Sequence, residues 1–168
     1  NTTDISGLGI YSRMFITKYF NTGELAWSNS CVVTNNLPDT TGGITSEKIV
    51  MAPDGNIFVA GSYDGSREYI FNGQILKCKG VSNAYLASYS SAGAIQWAKP
   101  YQGSNYIIPG DLSVDNNTGV VFTCFYNTDS MRVNGLNYSS IGNFDLLVSK
   151  YFTDGQSSWD RPLTTNLT

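Results

Sequence analysis

The alternation of apolar and polar positions is clearest between Lys48 and Tyr63. Ile49 and Met51 alternate with their neighbours in the segment 48–52, which predicts a strand with one face turned inward. The turn Asp54-Gly55-Asn56 then supplies the residues with positive φ that a tight hairpin needs. The stretch Ile57–Tyr63 follows and is almost continuously apolar, as expected of a strand that is covered on both faces. The segment therefore predicts a β-hairpin whose second strand is buried.

A second pattern, Tyr-x3-Gly-x3-Trp, occurs three times along the chain. Its copies are Tyr19-Gly23-Trp27, Tyr89-Gly93-Trp97 and Tyr151-Gly155-Trp159. The interval between the first two copies is somewhat longer than the interval between the second and the third. All three tryptophans of the protein fall at one position of the pattern. This regularity indicates that the chain is built from copies of one unit.

Other positions repeat at nearly the same interval. Ile57–Tyr63 is matched by Val120–Tyr126, and the turn Asn72-Gly73 is matched by Asn134-Gly135. One unit is therefore about 62 residues long. It is predicted to hold four strands: the two of the hairpin above, the strand that ends in the motif tyrosine and the strand that carries its tryptophan.

The repeats divide the chain into a half-repeat at about 13–40, a repeat at about 42–104 and a second repeat at about 105–168, all within one domain, 1–168. The predicted fold class is all-β: a β-propeller-like repeat of four-stranded antiparallel blades. Such a chain makes an incomplete ring of about two and a half blades.

The spacing within the motif suggests a packing role for its aromatic residues. The glycine lies midway, in the turn, so the tyrosine and tryptophan are predicted to face each other across the hairpin as a cross-strand pair. The alternative is an exposed aromatic platform for sugars. Because the residues recur in every copy, packing between repeats is the favoured interpretation.

A known repeat family shares this order of features. An Asp-Gly-Asn turn, an apolar strand with Gly-x-Tyr, an Asn-Gly turn and Lys-Tyr-x3-Gly-x3-Trp together resemble the SBBP-type β-propeller repeat, from about Arg13 to Trp159. The resemblance implies a propeller and a place in large bacterial surface or secreted proteins, or in very large viruses. The chain departs from the pattern at Ser88, at Cys124 and in the turn at 116–118. The family has no shared catalytic set, so the resemblance implies no site.

The number of units is too small for a closed propeller, which typically needs about 4–8 blades. An open fragment would expose sheet edges and faces. Two explanations follow: either the chain is part of a longer propeller, or several identical copies close a ring together. The first is favoured, because the chain starts without Met and out of phase with the repeat.

The amino-acid composition argues against some classes of binding partner. The 168 residues are 41% hydrophobic and 13% aromatic, with a net charge of −3, as expected of a folded domain. The basic residues are scattered, so neither a nucleic-acid surface nor a polybasic membrane patch is predicted. No apolar run approaches the roughly 20 residues of a membrane-spanning helix.

The three cysteines, Cys31, Cys78 and Cys124, match no metal or redox spacing. They are interpreted as small buried or half-buried apolar residues. The alternative is one disulfide with one free thiol.

Candidate chemistry is mostly excluded by the residue types. The chain contains no histidine, so nucleophilic sites that use a histidine base and histidine-ligated metal sites are absent from it. Its aspartates mostly adjoin turns and are assigned to turn chemistry, with a paired-carboxylate glycosidase and a calcium loop as alternatives. These aspartates are Asp54, Asp64, Asp111, Asp115, Asp129, Asp145, Asp154 and Asp160. No catalytic, cofactor-binding or metal-binding residue is predicted.

The leading functional hypothesis is a non-catalytic structural or interaction module of a larger surface, secreted or virion protein. Its partners would be other blades of the same longer chain or identical copies, and a protein or glycan ligand. The alternatives are a carbohydrate-binding propeller and a fragment of a propeller enzyme that acts on polysaccharides. Glycosylation sequons at Asn1, Asn116, Asn137 and Asn166 accord with an extracellular, cell-surface or virion location.

Overall fold

The computed structural model describes residues 14–33, 42–115 and 119–164. Strands make up 64% of these residues, and no helix occurs among them. The described part of the chain therefore contains no helix that is long and apolar enough to cross a membrane. Ten of the described strands join in one sheet that curves into a nearly closed, barrel-like shape. The prediction of an all-β fold is confirmed.

The strands in the described ranges are β1 (Phe15–Tyr19), β2 (Leu25–Ser30), β3 (Val32–Val33), β4 (Lys48–Met51), β5 (Ile57–Asp64), β6 (Glu68–Phe71), β7 (Gln74–Lys77), β8 (Ser82–Tyr89), β9 (Ile95–Gly103), β10 (Tyr106–Val114), β11 (Gly119–Asn127), β12 (Met131–Val133), β13 (Leu136–Tyr138), β14 (Asp145–Phe152) and β15 (Ser157–Leu163).

Two sets of four antiparallel strands follow the repeat. The first array is β4-β5-β8-β9, and the second array is β10-β11-β14-β15. The N-terminal hairpin, β1–β2, matches the last two strands of an array. The four strands predicted for one unit therefore occur in the predicted order. A parallel bridge from Tyr106 to Ser82 connects the two arrays.

Each array also carries a short hairpin that the sequence did not predict. In the first array, the hairpin β6–β7 lies in the connection between β5 and β8. In the second array, the hairpin β12–β13 lies in the connection between β11 and β14. The turns of these hairpins are the predicted Asn-Gly pairs. Asn72 and Gly73 have φ of 44° and 79°, and Asn134 and Gly135 have φ of 51° and 81°. Two successive positive φ values give the tight turn whose twist matches that of the strands.

The first array is buried on both faces. On one face Phe58 and Leu86 belong to the same buried cluster as Phe122 of the second array. On the other face Val59 and Tyr89 pack against the side chains of the N-terminal hairpin. The prediction that the strand beginning at Ile57 is covered on both sides is confirmed, since its first five residues are all buried.

The second array is buried on one face only. Along β14, buried and partly buried residues alternate, and in β11 Phe122 is completely buried whereas Phe125 is 46% exposed. The buried residues face the first array, and the others form an open apolar face. The two arrays are copies of the same repeat, so the difference in burial between them comes from the neighbouring units that pack on each one.

The prediction for the face of β4 is wrong. Ile49 and Met51, expected to point inward, are 61% and 63% exposed, whereas Ala52 is buried and Val50 packs against the core. Leu112, which occupies the position of Ile49 one unit later, is buried. The position that Ile49 and Leu112 share in the repeat is therefore buried only where a preceding array packs over it.

Some predicted features lie outside the described residues. These are the sequons at Asn1, Asn116 and Asn166 and the turn at 116–118. Asn137 lies exposed in β13. Cys31 and Cys124 are buried and Cys78 is half-buried, which agrees with their interpretation as small apolar residues.

The contrast between the two faces of β11 predicts a contrast in stability. Phe122 meets Tyr101 edge-to-face, with ring centroids 5.0 Å apart. Phe122→Ala leaves a cavity there and should lower the free energy of unfolding by about 3–5 kcal/mol. Phe125→Ala, on the open face of the same strand, should cost less than about 1 kcal/mol. Urea unfolding of both variants at low protein concentration checks this, and equal losses would contradict the difference between the two faces within one chain.

Candidate functional site

The motif hairpins place their tyrosine and tryptophan on opposite faces. In β8–β9, Ser88 lies opposite Trp97 but Tyr89 lies opposite Ile95, because the register shifts by one position between them. Tyr89 therefore belongs to the core on one side of the array, and Trp97 packs against the core on the other side. The predicted cross-strand pair of tyrosine and tryptophan is wrong. A bulge of this kind changes which face a side chain occupies without changing the spacing in sequence.

Each of the first two tryptophans packs instead on the hairpin turn of the next unit. Trp27 lies against Gly93, where a Cβ atom would be only 2.5 Å from the indole ring. Its Nε1–H donates a hydrogen bond of 3.1 Å to the carbonyl of Ser91. Asn29 Nδ2 donates to the carbonyl of Gly93 at 2.7 Å, and Lys18 Nζ donates to that of Ser91 at 3.3 Å. We call this set of contacts the tryptophan junction.

The second tryptophan junction repeats the first. Trp97 lies against Gly155, where a Cβ atom would be 2.8 Å from the ring. Its Nε1–H donates to the carbonyl of Thr153 at 2.8 Å, again two residues before the glycine. The indole also contacts the ring of Tyr151, with centroids 6.0 Å apart, and Lys99 Nζ lies 5.9 Å from the same ring. The indole of one unit is thus held by the turn and the tyrosine of the next.

The burial of the motif tyrosines follows from the junctions. Tyr89 and Tyr151, which have a preceding unit beside them, are completely buried, whereas Tyr19 is 59% exposed. The hydroxyl of Tyr151 shares a 2.8 Å hydrogen bond with that of Tyr101, and it accepts another from Asn134 Nδ2 at 2.8 Å. Each buried hydroxyl of this pair is therefore satisfied.

A second contact between units also repeats. The short hairpins pair with the end of the preceding unit: Tyr69 of β6 lies opposite Val33 of β3, and Met131 of β12 lies opposite Gly103 of β9. The two contacts use equivalent positions of the repeat. The short hairpins therefore join consecutive units by backbone hydrogen bonds.

The turn Asp54-Gly55-Asn56 is explained by its own hydrogen bonds. Asp54 accepts from the backbone N–H of Asn56 at 3.0 Å and from its Nδ2 at 2.9 Å. Gly55 has a φ of 88°, in the left-handed region that favours glycine. Asp154 accepts from the N–H of Gln156 in the same way. Both carboxylates hold turns, as the sequence predicted.

Most of the other predicted aspartates have structural partners as well. Asp64 accepts from the N–H of Gly43, Asp145 from that of Ile141, and Asp160 from Asn134 Nδ2. Asp111 and Asp115 pair with Lys48 and Lys150, respectively. Within the described ranges, no group of three or more His, Cys, Asp or Glu residues is placed to hold a metal ion.

Desolvation dominates the electrostatics of the core. Burial raises the pKa of Tyr69 to about 12 and raises the pKa of Tyr101 and Tyr151 well above the ordinary value. Burial also raises the pKa of the Cys124 and Cys78 thiols. Since a thiol needs a lowered pKa to act as a nucleophile near neutral pH, these two environments disfavour reactive cysteines.

A shallow polar groove of about 250 Å³ lies where β9 meets the turn of the second short hairpin. Its lining includes Lys99, Gln102, Arg132 and Asn134. Two of these side chains are already engaged, because Gln102 Nε2 donates to the carbonyl of Lys77 and Asn134 binds Tyr151.

No protein-family model and no curated protein matches the chain. The resemblance to the SBBP-type repeat therefore stays a prediction.

The tryptophan junction predicts different costs for one substitution at two equivalent turns. Gly93 and Gly23 have almost the same φ, +83° and +84°, but only Gly93 has an indole against it. Both Gly→Ala changes strain the backbone, and Gly93→Ala must also displace Trp27. Gly93→Ala should therefore cost roughly 1–3 kcal/mol more than Gly23→Ala. Chemical unfolding measures the difference; equal costs would contradict the junction at Gly93.

Proposed function

We propose that the chain is a non-catalytic structural or interaction module of β-propeller type, with SBBP-like repeats, in a larger surface, secreted or virion protein. One observation carries this proposal. The motif tyrosines, glycines and tryptophans that recur along the chain are used to join one unit to the next, at Trp27–Gly93 and at Trp97–Gly155. Residues used in this way hold an architecture together.

The form of the repeat supports the propeller. Both arrays are antiparallel and have the same strand order, and the side of one unit that faces the next packs on the opposite side of that next unit. Repetition of such sheets around a centre is how propellers protect their edges. The partners of this module are further units of the same kind, as blades of a longer chain or as identical copies, and the surface loops present binding sites to proteins.

The buried tyrosines argue against a sugar platform made from the motif. Tyr89 and Tyr151 are fully buried, and the indoles of Trp27 and Trp97 lie against neighbouring turns. Trp159 has no such turn beside it among the described residues and is only partly buried. It is therefore the motif residue whose substitution best separates packing from carbohydrate binding.

A glycan array and a reducing-end assay on polysaccharides test the proposed function. The whole chain should bind no glycan saturably and release no reducing ends. Saturable binding that is lost in Trp159→Ala and retained in Trp159→Phe, with near-UV circular dichroism unchanged, would replace the proposal with a carbohydrate-binding propeller. Release of reducing ends by the purified chain would replace it with a polysaccharide-active enzyme.

A further inference from the structure

The two ends of the stack of units carry open apolar faces. The tail face lies on the outer side of the second array and includes Phe125, Val148 and Trp159, with Phe125 46% exposed. The head face lies on the outer side of the N-terminal hairpin and includes Phe15 and Tyr19, which are 54% and 59% exposed. Exposed aromatic and aliphatic residues grouped on one face of a sheet are typical of interaction sites.

The tail face is the counterpart of a face that is buried inside the molecule. Val148 occupies the position of Leu86, which is completely buried between the two arrays. Trp159 lies opposite Lys150, as Trp97 lies opposite Ser88 and Trp27 opposite Lys18. The indole of Trp159 makes no hydrogen bond or ring contact within the part of the chain that is described.

The head face has the matching uncovered turn. Gly23 has the φ of Gly93 and Gly155, but a Cβ atom placed on it would meet no described residue within 4 Å. The carbonyl of Asn21 stands two residues before Gly23, where Ser91 and Thr153 accept the indole hydrogen bonds of the two junctions. Tyr19 occupies the position of Tyr89 and Tyr151, yet it is exposed.

We propose that the tail face of one copy of this chain docks on the head face of a second copy and forms a third tryptophan junction. The indole of Trp159 then covers Gly23, donates its Nε1–H to the carbonyl of Asn21 and packs beside Tyr19. The proposal deepens the proposed function and rests on it, since it supplies the next unit from an identical copy. It continues an interface that the chain already forms twice.

The charged residues beside the two faces suit this contact. Lys150, which forms an ion pair with Asp115 within the chain, stands where Lys18 donates to the carbonyl of Ser91, so it can reach the carbonyl of Asn21 by exchanging that partner. Arg161 takes the position of Lys99, which lies over the ring of Tyr151. In the docked pair Arg161 therefore faces the ring of Tyr19 of the second copy, where a cation is favourable. Glu24, next to the uncovered turn, adds an opposite charge.

A contact between two different faces is heterologous. It produces a ring if the rotation per copy closes, and an open filament if it does not. In either form, each copy uses one head face and one tail face. A variant with a blocked head face and a variant with a blocked tail face should therefore each fail to self-associate. When the two variants are mixed, each should bind the other.

Sedimentation velocity of the full chain and three variants tests the proposal. Gly23→Ala places a methyl group where Trp159 must sit, and Trp159→Ala removes the indole. Gly135→Ala is the matched control, because Gly135 also has a positive φ and nothing within 4 Å but lies on neither face. The wild type and Gly135→Ala should form species heavier than 18.3 kDa with increasing concentration. Gly23→Ala and Trp159→Ala should each weaken association by about 30-fold or more.

Mixing the two face variants gives the decisive result. The intact tail of Gly23→Ala should bind the intact head of Trp159→Ala and yield a one-to-one dimer. A wild type that stays monomeric at all concentrations, assembly that survives either face variant, loss of assembly in Gly135→Ala, or a mixture without dimers would each overturn the proposal. A monomeric chain that also binds no glycan and cleaves no polysaccharide leaves the proposed function standing, so the two failures are distinguishable.

Discussion

The packing of an indole on a bare glycine is the contact on which the rest of the structure depends. Trp27 and Trp97 reach across to the next hairpin and occupy space that any side chain at Gly93 or Gly155 would fill. The indole N–H fixes the orientation of the ring by donating to a carbonyl of the same turn. Both partners of the contact lie in one short motif. Each unit therefore offers a tryptophan to the next unit and a glycine to the one before.

This reciprocity explains why equivalent residues differ in exposure along the chain. The first array has neighbours on both sides, so Phe58 and Val59, which point in opposite directions, are both buried. The second array has a neighbour on one side, and its outer residues stay open. Position in the stack thus decides the environment of a residue as strongly as its type, as expected of proteins whose units contact only their neighbours.

Much of the fold could be predicted because its signals are local. The Asn-Gly turns and the apolar run from Ile57 to Tyr63 located strands, and the recurrence of the motif located the units. The partner of each tryptophan could not be predicted. One bulge beside Tyr89 moves the two motif rings to opposite faces and leaves their spacing unchanged. The short hairpins were missed because strands such as Met131–Val133 are too short to show a period.

A double-mutant cycle on Trp97 and Gly155 tests the central claim most directly. The free energies of unfolding of Trp97→Ala, Gly155→Ala and the double variant are measured against the wild type. If the indole sits on the glycine, Gly155→Ala costs more while Trp97 is present than in its absence, and the two losses fall short of additivity by at least about 1 kcal/mol. Losses that add to within about 0.5 kcal/mol would contradict the junction as the contact that joins the units.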